Sequence, residues 1–216
     1  MTTPEIPEIP EDSPSAPGVP LEAVIIVDRS GSMEQLRGAV VEAINQTVSG
    51  LQPHDRVTIV QFDSEGPYDV LVEGVPVAEV TPLQYDDYQP RGGTPLYDAV
   101  GRAIAGADGR ARQRQILTGE DVPVVVTILT DGFENASREF TAAMIRQLIE
   151  RLTAEGWTFG YAGIGLGEDA FAEAARMGIA RDAVSSFDRS VEGTVSASRA
   201  MLNTADLARR GGRGRR

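Results

Sequence analysis

Residues 22–33 read EAVIIVDRSGSM, an apolar run that stops at a carboxylate and passes into arginine, two serines and a glycine. The uninterrupted apolar stretch at 23–27 predicts a strand over 22–28. Met33, Leu36, Val40, Ile44 and Val48 then recur every three or four residues, which predicts a helix from 33 to 49. Working outward, RVTIVQF at 56–62 is a second strand and 68–75 a third. The DSEGP between them is too short for a crossover helix, so these two run antiparallel. Thr94 as N-cap and Pro95 at the first helical position open a helix carrying Leu96, Val100 and Ile104. The polar, Arg-rich stretch 108–121 reads as the end of that helix and a surface loop. VPVVVTILT at 122–130 is apolar on both faces, hence a central buried strand. Phe140, Met144, Leu148 and Leu152 mark the next helix, followed by a strand at 157–164, a helix at 168–177, a short edge strand at 183–186 and a closing helix at 191–207. This alternation predicts an α/β fold: a doubly wound, mostly parallel six-stranded sheet with one antiparallel strand, flanked by helices on both faces in a Rossmann-like arrangement.

With 216 residues the chain is expected to hold one domain, from 21 to 207, and two appendages. Residues 1–20 carry six prolines and four acidic side chains, the composition of a disordered, extended arm. Residues 208–216, ARRGGRGRR, read as a flexible basic tail. Net charge is −12 although that tail adds five arginines, so the body is strongly acidic and would repel nucleic acid. There is no cysteine, which excludes disulfides and thiolate metal sites, and the single histidine, His54, excludes a poly-His site. The N-terminus lacks the basic start and apolar stretch of a signal peptide, and no apolar run approaches the ~18 residues of a spanning helix. A cytoplasmic protein is expected.

Three segments lie where a strand passes into a loop or helix: Asp28-Arg29-Ser30-Gly31-Ser32-Met33, Arg91-Gly92-Gly93-Thr94-Pro95 and Thr130-Asp131-Gly132. In a doubly wound sheet the carboxyl ends of the strands share one edge, so the three can converge there. They would bring two carboxylates (Asp28, Asp131) and three hydroxyls (Ser30, Ser32, Thr94), all hard oxygen donors. Gly31, Gly92, Gly93 and Gly132 would shape the loops and let backbone approach closely. Such a set suits Mg²⁺ or Mn²⁺, with Ca²⁺ the poorer fit. Two negative charges roughly neutralise the cation, and neutral hydroxyls leave it able to take a further anionic ligand.

These residues resemble the von Willebrand factor type A (vWA) domain with a metal-ion-dependent adhesion site, in its intracellular prokaryotic form. The family's Asp-x-Ser-x-Ser motif matches Asp28, Ser30 and Ser32; its loop threonine matches Thr94, and its second aspartate, followed by glycine, matches Asp131. IIVDRSGSM, DRVTIVQFD, RGGTPLYDAVG and ILTDGFEN all agree, and the likeness covers roughly residues 21–205. The resemblance implies a non-catalytic interaction module whose bound cation accepts an Asp or Glu from a protein partner, in settings that include ATPase-associated complexes of bacteria or phage. The C-terminal third departs from the well-studied extracellular members.

Two other readings compete. A Mg²⁺-dependent phosphoryl-transfer enzyme would use Asp28 as nucleophile, but Ser30 stands where such enzymes carry a general acid, and the chain has no lysine to meet a phosphoryl group. Nucleic-acid binding would rest on the Arg tail alone, without aromatics for base stacking. Gly163-Ile164-Gly165-Leu166-Gly167 resembles part of a dinucleotide fingerprint, but Glu168 occupies the third glycine position, so a turn is expected. Glu134 reads as a solvated charge or a group behind Asp131, and His54 as a loop residue. Finally, the acidic arm presents carboxylates on stiff extended chain, the kind of ligand the cation would accept, so self-ligation is a further expectation.

Overall fold

The computed structural model describes residues 20–213. The arm up to residue 19, with the self-ligation expected of it, and residues 214–216 lie outside the described residues. Six strands, β1 (Glu22–Asp28), β2 (Arg56–Phe62), β3 (Asp69–Pro76), β4 (Val124–Thr130), β5 (Thr158–Ile164) and β6 (Val184–Phe187), form one sheet in the order β3-β2-β1-β4-β5-β6. All neighbours pair in parallel except β2 with β3, the antiparallel pair that the short connection demands. The helices are α1 (Arg37–Gly50), α2 (Leu96–Thr118), α3 (Ala142–Ala154), α4 (Asp169–Arg176) and α5 (Val191–Arg213).

The two central strands are buried at every position because helices cover both sides. Val24 and Ile26 of β1, with Val126 and Ile128 of β4, pack in one core with Val100 and Ile104 of α2 and Ile145 and Ile149 of α3. Ile25 and Val27, with Val125 and Leu129, pack in the other with Val40 and Ile44 of α1 and Ala197 and Met201 of α5. The chain therefore leaves β1 toward one face and β4 toward the other. Their loops diverge at adjacent strand ends, and a crevice opens there.

Four of the five helices depart from the sequence reading, α1, α2, α3 and α5. A tight 3₁₀ turn, Gly31–Leu36, precedes α1 where a helix from 33 was expected. Pro95, and not Thr94, takes the N-cap position of α2. That helix runs on to Thr118, through most of the stretch expected to hold only its end and a surface loop. Arg110 reaches the buried Glu22 at 2.8 Å, an Asp108–Arg112 pair bridges one turn, and Gly119 caps the end in the left-handed region at φ 72°. In α3 the buried positions are Ile145, Ile149 and Leu152, while Met144 is exposed. Phe140 precedes that helix, its ring laid over Gly101 of α2, where a Cβ would come within 2.6 Å.

The fourth departure corrects the C-terminal boundary. α5 continues through Arg213, so residues 208–213 are helix where a flexible tail was expected. Ala208 is buried in the core shared with α1, and the Arg209 guanidinium forks onto Asp55. The Asp55 carboxylate also accepts the backbone N–H of Leu21 at 3.0 Å and of Gln52 at 2.8 Å, so the end of α5 is tied to the start of β1. A chain ending at Leu207 would strip a buried carboxylate of its cation, at a cost of about 3 kcal/mol. Thermal unfolding should then fall by roughly 6–12 °C; an unchanged midpoint would show that these residues act only as a tail.

Candidate functional site

β1 and β4 pair with Val27 opposite Leu129, which carries Asp28 alongside Thr130 at the mouth of the crevice. The Thr130 hydroxyl donates to Asp28 Oδ2 at 2.5 Å, and the Ser30 N–H donates to Oδ1 at 2.7 Å. Tyr88, wholly buried, donates its hydroxyl to the Asp28 carbonyl and so holds the strand end itself. The 3₁₀ turn brings the Ser32 hydroxyl to 3.0 Å from that of Ser30, and Ser32 donates to Asp131 Oδ1 at 2.7 Å.

Thr94 arrives from a third segment. Asn135 holds it at both ends: its side-chain oxygen accepts the Thr94 N–H at 2.9 Å and its own N–H donates to the Thr94 carbonyl at 3.1 Å. Gly132 shows how tight the convergence is. A Cβ there would lie 3.3 Å from Thr94 Oγ1 and 3.7 Å from Asp28 Oδ2, so hydroxyl and carboxylate border the same small space. Gly92 adopts φ 62°, and a Cβ on it would come within 2.4 Å of Ser64 Oγ, so only glycine serves. The Gly31 N–H donates to the Gly92 carbonyl at 3.1 Å, and Ser64 exchanges hydrogen bonds with Gly93. The five oxygen-bearing residues singled out from the sequence thus meet at one edge.

Their chemistry is uniform. Two carboxylates and three hydroxyls converge without nitrogen or sulfur donors, and helix capping does not consume the Ser30 hydroxyl, which makes no side-chain cap bond at its N-cap position, while Thr94 lies outside the N-cap of α2. This donor set fits a hard divalent cation of the Mg²⁺ or Mn²⁺ type. It is leaner in acid than many such sites, since no three Asp, Glu or His side chains gather among the described residues. Burial pushes the Asp28 carboxyl up to about 6 against the pull of the Thr130 and Ser30 hydrogen bonds, and the neighbouring Asp131 carboxylate adds to the rise. Arg29 gives no relief, because its guanidinium turns to Asp63 and Asp69 at 2.6 and 2.9 Å.

The sequence matches the von Willebrand factor type A domain over residues 22–197. The chain belongs to that family. Among solved structures it is similar to a von Willebrand factor type A protein of Catenulispora acidiphila, at 19% identity and a TM-score of 0.59, over 87% of this chain and 43% of that one. The pilus adhesin SpaC of Lactobacillus rhamnosus GG aligns at 15% identity and 0.60, over 90% of this chain and 30% of that one. The corresponding domain of the type V pili tip protein Mfa5 of Porphyromonas gingivalis aligns at 12% and 0.57, over 91% and 97%. The chain therefore spans less than half the length of the first two, and at these identities the likeness concerns the fold. No curated protein matches the sequence.

Several groups that build this type A domain's site were not singled out in the sequence. Thr130 and Tyr88 hold Asp28, and Asn135 holds Thr94. Arg189, from the turn before α5, donates to Asp131 Oδ2 at 2.5 Å and to the Ser32 carbonyl. Thr130 was findable, since it is the cross-strand neighbour of Asp28 once the register is known. Arg189 gave no signal at all. Glu134 proves to be neither a solvated charge nor a group behind Asp131: it accepts the N–H groups of Tyr97, Ala136 and Ser137 and so braces the loop after β4. His54 stands in the loop before β2, and Gly165 and Gly167 turn the chain after β5 at φ 69° and 54°.

Asp28 yields a test of the electrostatics by itself. Its carboxyl is raised in the folded state, so this group's contribution to stability is fully present below its ordinary value near 4 and is lost as pH rises through about 6. Asp28→Asn removes that loss. With metal chelated at pH 7.5 the variant should be more stable than wild type by on the order of 2 kcal/mol, the difference vanishing near pH 4. Urea unfolding at the two pH values measures it, and equal stabilities at pH 7.5 would refute the strained carboxylate.

Proposed function

We propose that this domain is a divalent-metal-dependent protein-interaction module, its crevice acting as a metal-ion-dependent adhesion site. Asp28 and Asp131 would hold Mg²⁺ or Mn²⁺, and the hydroxyls of Ser30, Ser32 and Thr94 would complete its surroundings. A bound cation would supply a Lewis-acidic position for an Asp or Glu carboxylate from a partner. The observation that carries this reading is the meeting of five hard oxygen donors, from three separate loops, around the space beside Gly132.

The rest of the site supports binding over catalysis. Ser30 follows Asp28 where a general acid would be needed, the chain has no lysine, and its only histidine lies before β2. The reading of the C-terminal arginines as a nucleic-acid contact loses Arg209, which is engaged with Asp55. No helix among the described residues is long and apolar enough to cross a membrane. A cytoplasmic setting, with the partner drawn from an ATPase-associated complex, belongs to the same proposal and rests on the resemblance of the motifs. SpaC, among the structural neighbours, is named a pilus adhesin, and this reading extends adhesion of that kind to the present chain.

Thermal unfolding of wild type, Asp28→Ala and Thr94→Ala, in EDTA and in Mg²⁺ or Mn²⁺, tests it. Metal at 100 times its dissociation constant should stabilise wild type by ~2.7 kcal/mol, or roughly 5–11 °C, and neither variant should respond. Capture of partners in Mg²⁺ with release by EDTA would follow. A wild-type midpoint indifferent to millimolar metal would overturn the reading.

A further inference from the structure

Arg189 sits in the three-residue turn between β6 and α5, not on the helix itself. Ser190 beside it caps α5, its hydroxyl accepting the Gly193 N–H at 3.0 Å and its carbonyl the Thr194 N–H at 3.0 Å. The Arg189 stem crosses the end of β5 over Gly165. That glycine is in the left-handed region at φ 69°, its N–H bound to the Phe187 carbonyl at 2.7 Å, and a Cβ on it would come within 2.8 Å of the Arg189 Cβ. The chain thus leaves a slot for this side chain. Beyond the slot the guanidinium forks onto Asp131 Oδ2 and the Ser32 carbonyl. With Ser32 Oγ on Oδ1, both oxygens of Asp131 are engaged.

Among the described residues, Arg189 is the one guanidinium paired with a site carboxylate. Arg29 is committed to Asp63 and Asp69, and Arg91 to Asp63 and Glu65. The Asp131 side chain is fully covered while Arg189 is 39% exposed, so the guanidinium closes the site from its solvent side and has room to swing away. A divalent cation drawing on Asp131 would face a like charge within a few ångströms, and the two repel strongly where water is scarce. We infer that Arg189 is a tethered cation that competes with the divalent metal for Asp131, so that metal entry exchanges an intramolecular ion pair for a coordinated ion. This rests on the reading of the crevice as a divalent-cation site. The metal affinity is then set by this chain as much as by its ligands, and metal binding releases the β6–α5 turn from the site.

Calorimetric titration of the full chain with Mn²⁺ tests the exchange. Arg189→Gln should bind about tenfold more tightly than wild type, the size expected for removing a partly exposed charge-assisted fork. Arg189→Lys, which keeps the charge and loses the fork, should fall between. In EDTA the order of stability reverses: Arg189→Gln should melt below wild type, and that deficit should disappear on an Asp131→Asn background. Equal or weaker Mn²⁺ binding by Arg189→Gln, with wild type binding normally, overturns the competition and leaves the metal site standing. Absence of Mn²⁺ binding in both wild type and Arg189→Gln overturns the metal reading, and the competition with it. A melting deficit in EDTA that survives Asp131→Asn shows that Arg189 acts elsewhere, and also overturns it.

Discussion

Everything at the crevice depends on the parallel register between β1 and β4. With Val27 opposite Leu129, Asp28 ends its strand beside Thr130, one residue short of Asp131. A slip by one residue would turn Asp28 toward a helical layer and exchange the faces of every apolar side chain on β1, since alternate residues serve opposite cores. The burial that makes the sheet stable therefore also fixes where two carboxylates stand. The Thr130 hydroxyl bond to Asp28 is the polar expression of that register, made at a depth where an unmatched carboxylate oxygen would be costly.

The loops that complete the site are held by side chains that take up backbone N–H groups, and not by loop packing alone. Asp98 on α2 accepts from Arg138, Glu139 and Phe140, and those bonds keep its carboxyl below the ordinary range even though burial pushes the other way. Glu134 ties the same loop to the first turn of α2 through Tyr97, and Asn135 ties it to Thr94. The segment between β4 and α3 is thus sewn onto the segment before α2. A hydroxyl placed by such a net needs little ordering when a ligand arrives, which is what a binding site built from neutral donors requires.

Strand positions were legible in the sequence because burial on both faces writes an uninterrupted apolar run, and VVVTILT and AVIIV admit few other readings. That Asp28, Ser30, Ser32, Thr94 and Asp131 come together at one edge was legible too, because four of them stand in short motifs where β1 or β4 ends and Thr94 stands in one just before a helix. Helix limits were not. The Arg-rich second half of α2 looks like a loop until Glu22 is seen to meet Arg110 across 88 residues, and α5 looks finished at Leu207 until Asp55 is seen to hold Arg209 across 154. The α3 register failed for a related reason: Phe140 looks like the first turn of an amphipathic helix, whereas it packs on Gly101 before the helix begins. In each case a contact distant in sequence overrode local pattern.

The same kind of distant contact organises α5. One end follows a turn held by Arg189 to Asp131, and the other is pinned by Arg209 to Asp55, so a guanidinium–carboxylate pair secures the element at the top and the bottom of the sheet. The two pairs differ in what could replace them. Asp55 spends its oxygens on the N–H groups of Leu21 and Gln52 as well as on Arg209, and it serves the strand's start. Asp131 instead shares its space with hydroxyls and a second carboxylate, a setting in which a divalent ion is a natural rival to the guanidinium. On this reading the lower pair is structural and permanent while the upper is exchangeable. The occupancy of the crevice is then coupled to the freedom of the β6–α5 turn without any need for the sheet to move.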